Sequence, residues 1–131
     1  MLRNRISKAG LSGLCLLWAL LIQVAMLRAE PLILAVASAQ QAFDQYTSQP
    51  VIAIRLTAES AAAFGKFTTE NVGRKIELRA DGRVLMSPVI RDPILGGTLQ
   101  VSGSFTVAEA KEIARKLSAP NARIEAEAVA D

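Results

Sequence analysis

Residues 74–87 read RKIELRADGRVLMS. Apolar Ile76 and Leu78 alternate with charged Lys75, Glu77 and Arg79, the period of a strand with one face buried and the other in water. Asp81-Gly82 then supplies the two residues that a tight hairpin turn asks to adopt positive φ, and RVLMS returns from it. A two-residue turn sets Leu78 opposite Leu85 and Arg79 opposite Val84, which leaves Val84 and Met86 on the charged side. Either the loop is longer than two residues, or both faces of this ribbon are partly covered.

Outward from the hairpin, the period changes. TAESAAAFGKFTTENVG (57–73) reads as a helix: Thr57 can cap its start, Ala61, Phe64 and Phe67 lie along one side, and Gly73 suits the left-handed C′ position. Gly65, in the middle, costs roughly 1 kcal/mol of helix propensity against Ala, so close packing on a strand is expected there. Earlier still, LILAV (32–36) and VIAIRL (51–56) read as strands separated by the polar FDQYTSQP (43–50). On the other side, TLQVSGSF (98–105) resumes as a strand and TVAEAKEIARKL (106–117) as a second helix, with Thr106 and Glu109 spaced as a capping box. Ala110, Ile113, Ala114 and Leu117 form its buried stripe, and Glu112 with Lys116 makes a solvent-side pair. Pro120 stops it, and RIEAEAV (123–129) alternates as a last strand. The order implies an α+β domain, two helices on one face of a largely antiparallel sheet of about five strands, ferredoxin-like.

The charge is distributed in a way that limits what the chain can bind. Four of the fifteen basic residues, Arg3, Arg5, Lys8 and Arg28, fall in the first 29 positions, where there is no acid. Eleven basic residues then face twelve acidic ones over 30–131, so the net +3 of the chain is no nucleic-acid footprint. The same 29 residues have a basic start, an apolar run from Ala9 to Leu27 and a small residue at Ala29, the pattern of an export signal cut between Ala29 and Glu30. Ala37-Ser38-Ala39 also fits a cleavage pattern, but a cut there discards LILAV. The run is also near bilayer-spanning length, so an uncleaved signal anchor in the inner membrane is the rival reading. The two domain expectations are therefore 1–29 as signal peptide or anchor and 30–131 as a periplasmic α+β domain.

Cys15 and Trp18, the only Cys and Trp, lie within the leader, and the chain has no His. The segment after it can build no disulfide, thiolate nucleophile, Ser-His pair or His-ligated metal site. The acids Glu70, Glu77, Asp81 and Asp92 show no spacing that suggests paired acid/base work. No catalytic residue, metal or cofactor is expected. An enzyme acting through carboxylates alone needs two buried carboxylates facing one another across a cleft.

Residues 67–117 carry a resemblance. The elements TENVG (69–73), Asp81-Gly82, SPVIRDPILGG (87–97) and VSGSFTVAEA (101–110) resemble the head subdomain of the first periplasmic domain of SecD, the accessory subunit of the bacterial protein-export translocase. The lead-in FDQYTSQPVIAIRL is similar as well. The resemblance implies a non-catalytic periplasmic module that contacts extended polypeptide or an envelope protein. It does not carry over the proton-coupled membrane domain of that family, which has no counterpart in this sequence. A structural envelope protein held by residues 9–27 is the alternative. The candidate partner-binding loop is Pro88, Arg91, Asp92, Pro93, Gly96 and Gly97: the prolines fix extended backbone, the glycines permit a tight return, and Arg91 and Asp92 at the tip can set the register of a docked strand. Phe64, Phe67 and Phe105 are expected in the core.

Overall fold

The computed structural model describes residues 30–130. The segment expected as leader or anchor, residues 1–29, lies outside them. Eight elements follow in order: β1 (Leu32–Phe43), β2 (Pro50–Leu56), α1 (Ala58–Glu70), β3 (Ile76–Ala80), β4 (Arg83–Met86), β5 (Thr98–Ser102), α2 (Val107–Leu117) and β6 (Arg123–Ala128). No helix among the described residues is long and apolar enough to cross a membrane.

The strands form one antiparallel sheet of six rather than five, in the order β4-β3-β6-β1-β2-β5. The two strand-helix-strand passages β2-α1-β3 and β5-α2-β6 are present, with β1 inserted between β6 and β2. That insertion is possible because β1 is much longer than LILAV. Its first residues pair with β6 (Leu32 with Ala126, Leu34 with Ile124), and from Val36 onward it pairs with β2. Between Val36 and Ser38 the register shifts by one residue, leaving Ala37 as a bulge. A bulge bends a strand and resets its alternation, so Leu34 and Val36 before it and Ala39 after it all reach the core.

Both helices pack on the same face. Phe64 of α1 and Ala110, Ala114 and Leu117 of α2 join Leu34, Ile52, Ile54, Leu78, Val101 and Ile124 in one buried cluster. Thr57 caps α1 as its spacing implies, accepting from the Ser60 N–H at 3.3 Å, and Thr106 caps α2, accepting from the Glu109 N–H at 3.1 Å. Helix α1 ends earlier than expected, with Asn71 as its C-cap, so Gly73 is not the C′ residue. Its φ of +85° serves the next turn, where its N–H reaches the Ile90 carbonyl at 2.6 Å.

The hairpin is resolved by a device that the alternation does not announce. Asp81 (φ 51°) and Gly82 (φ 76°) make the two-residue turn, with Ala80 opposite Arg83 and Arg79 opposite Val84. A register shift then sets Leu78 opposite Met86, so Leu85 is the extra residue. The bulge lets Leu85 be buried and Met86 half-buried on a four-residue strand, while Val84 stays 45% exposed.

Candidate functional site

The connection from β4 to β5 joins the two edges of the sheet. It can do so because the sheet curls until residues of β4 and β5 come within 8 Å of each other, Cα to Cα. Residues 87–97 cross this open side in two anchored halves. In the first, the Pro88 carbonyl accepts from Ile76 N–H (2.9 Å) and Ile90 N–H donates to the Arg74 carbonyl (2.9 Å), so Pro88–Ile90 run beside the entry to β3. In the second, Ile94 N–H donates to Thr68 Oγ1 (2.9 Å) and Leu56 N–H to the Gly97 carbonyl (2.8 Å).

Helix α1 receives the second half on three residues at helical spacing, Ala61, Gly65 and Thr68. A Cβ on Gly65 would stand 3.3 Å from Leu95 Cδ2 and 3.6 Å from the Ile94 carbonyl. The mid-helix glycine is therefore explained by the loop, not by a strand. Gly97 is held at φ +70°, and a Cβ there would lie 2.5 Å from that of Ala61. Gly96 meets nothing within 4 Å, so only the second glycine of the pair is sterically required.

Between these anchors, Arg91, Asp92, Pro93, Leu95 and Gly96 are exposed, Leu95 to 72%. Below them a cavity of about 270 Å³ is lined chiefly by Phe64, Met86, Ile90, Ile94 and Leu99. Pro88, Arg91 and Asp92 also line it. The six residues expected to act together thus divide: these three meet at the cavity, Pro93 stands on the outer loop, and Gly96-Gly97 belong to the anchor on α1. Met86, Ile94 and Leu99 are new to the site. Their apolar character was legible, but nothing local says that β4 and β5 face each other.

The outer edge of β5 borders the same opening. The bond from Leu56 N–H to Gly97 makes those two a hydrogen-bonded pair, and antiparallel alternation gives the same status to Ile54 with Leu99 and Ile52 with Val101. The N–H and C=O groups of Thr98, Gln100 and Ser102 therefore turn away from β2, toward the open side. Leu99 and Val101 are buried, and the three residues between and beside them are exposed. At the far end of the sheet, Asp44 fixes the β1–β2 turn: Oδ1 accepts from Tyr46 and Thr47 N–H, each at 2.9 Å, and Oδ2 accepts from Gln100 Nε2 at 2.8 Å. The bonds from Thr47, Tyr46 and Gln100 hold this carboxyl below the ordinary aspartate range.

Residues 24–121 match the family described as SecDF, P1 head subdomain. The chain belongs to the SecDF P1 head family. Protein translocase subunit SecD of Dictyoglomus turgidum is 39% identical over 85 residues, which are 65% of this chain and 21% of that relative. The crystal structure of SecDF in its super-membrane-facing form superposes with a TM-score of 0.60 at 34% identity, covering 73% of this chain and 13% of that one. A structure of SecDF as a membrane component that enhances protein export gives 0.59 at 31% identity, covering 74% and 44%. This P1 head chain thus spans about a fifth of the SecD relative's length. Among its described residues every carboxylate is exposed or half-buried, and no three His, Cys, Asp or Glu side chains gather as metal ligands would.

Proposed function

We propose that this P1 head is a non-catalytic accessory module of protein export that contacts extended polypeptide, or an extended segment of an envelope protein, at the open side of its sheet. The observation that supports the reading is the free edge of β5 beside an apolar cavity, roofed by an exposed loop. An added strand takes its affinity from main-chain bonds to such an edge and its preference from pockets for alternate side chains. Thr98, Gln100 and Ser102 offer the main-chain groups, the cavity below Arg91 and Asp92 offers the pocket, and the two tip charges can steer and register the incoming chain.

The reading includes a periplasmic location reached through residues 1–29, with removal between Ala29 and Glu30; N-terminal sequencing of the protein from the periplasmic fraction tests it. An intact N-terminus recovered from the inner membrane fraction would instead support an anchor at residues 9–27.

The docking test compares two variants with the unaltered protein at matched melting temperature, reading the yield of crosslinked partner in cells. Arg91→Ala/Asp92→Ala should lower the yield through the tip. Ser102→Pro removes one outward N–H of β5 without touching a bond to β2, and should lower it through the edge. Unchanged yields in both would place any binding surface elsewhere.

A further inference from the structure

Among the described residues, no helix packs on the opposite face of β1, β2 and β5. That face presents two cross-strand rows, Ser38 with Arg55 and Thr98, and Gln40 with Ala53 and Gln100. All except Ala53 are exposed, and Arg55 is the one charged side chain in the rows. The ion pairs among the described residues involve Arg79 and Lys116 as cations; Arg55 is in none of them. Asp44, the acid that a row residue bonds, is committed to Gln100 and to the turn amides.

The composition of the first row depends on the β1 bulge. With Val36 opposite Leu56, an unbroken ladder would put Ala37 beside Arg55; the extra residue puts the Ser38 hydroxyl there instead. Ala53, ending at a methyl group, leaves a trough of about 330 Å³ bounded by Ser38, Gln40, Arg55 and Thr98. The residues that bound it carry a guanidinium fork, two hydroxyls and a carboxamide, and no acid is among them. Such a set complements a carboxylate, because the fork matches two oxygens and the hydroxyls can donate to the remaining lone pairs.

We propose that this trough receives the side-chain carboxylate of an Asp or Glu in an extended polypeptide segment lying across the helix-free face. The volume suits one side chain with its adjoining backbone rather than a folded element, and the trough is open, so the chain can pass on either side. The Gln40 carboxamide can meet the peptide groups flanking the acidic residue. The trough shares only Thr98 with the β5 edge site and opens on the other face of the sheet, so either can fail while the other stands.

The test is an NMR titration of the protein with a blocked seven-residue peptide carrying one central glutamate, with its glutamine twin, and with acetate. The glutamate peptide should shift the Arg55 side-chain Nε–H and the backbone amides of Ser38 and Gln40, with about tenfold weaker shifts for the twin, the size expected of one charge-assisted fork. Arg55→Gln, at an exposed position, should keep the amide spectrum of the folded protein and abolish the difference between the peptides. Ala53→Leu fills the trough while leaving Arg55 in place, and should weaken the glutamate peptide to the level of its twin. Equal shifts by both peptides, no shift by either, or shifts by acetate alone would each overturn the proposal.

Discussion

Gly97 and Gly73 share a left-handed backbone but not a neighbourhood, and comparing them separates two costs. A Cβ at Gly73 meets nothing, so Gly73→Val should lose only the backbone term, about 1–3 kcal/mol. Gly97→Val adds the contact with Ala61 and should lose about 2–5 kcal/mol in urea unfolding. Ala61→Gly in the Gly97→Val background should recover the steric part alone. Thr68→Val leaves the Ile94 N–H without its acceptor in a buried setting and should cost about 1–3 kcal/mol. By contrast, Arg91→Ala/Asp92→Ala touches only exposed side chains and should stay within about 0.5 kcal/mol of the parent. A left-handed glycine at 73 was legible, but its reason was not: the expected helix end falls at Asn71, and the positive φ serves the turn toward Ile90. The needs at 65 and 97 were not legible, since each is set by a residue thirty or more positions away.

The elements differ in how openly they declare themselves. Both helices and their threonine caps follow from spacing, because a cap is a bond across three residues. Strand β1 was legible only as far as Val36: beyond it, ASAQQAF has too few large apolar residues to alternate, and its pairing comes from β2. Neither bulge has a local signature, since each exists to reconcile the alternation of one strand with a neighbour's. The β1–β2 turn depends instead on the charge of Asp44. Its carboxyl lies below the unfolded value of about 3.9, so its support is complete above that pH and fades as pH falls through it toward the lowered folded value. Asp44→Ala should therefore melt lower than the parent by a constant margin above about pH 5, a margin that shrinks below about pH 4. A margin independent of pH across a melting series would show that the charge contributes nothing.

At the scale of the molecule, the sequence sufficed for the α+β class and for helices on one face, but not for the strand order that creates the opening. Adjacent placement of β4 and β5 across a gap is a property of the curled sheet, so the cavity, the free edge and the Arg55 trough could only be found in three dimensions. The same order has a consequence for how the chain matures. Strand β6, the last of the six in chain order, sits between β3 and β1, and Leu32 waits for Ala126. A polypeptide delivered N-terminus first cannot seal its sheet until its final strand emerges, because pairing of the first strand with β6 closes nearly the whole length of the domain as a loop. A version ending at Asn121 should give no cooperative melting transition, whereas the full chain should. Until residues 122–131 arrive, then, the sheet stays unsealed, and the keystone position of β6 serves as its timer.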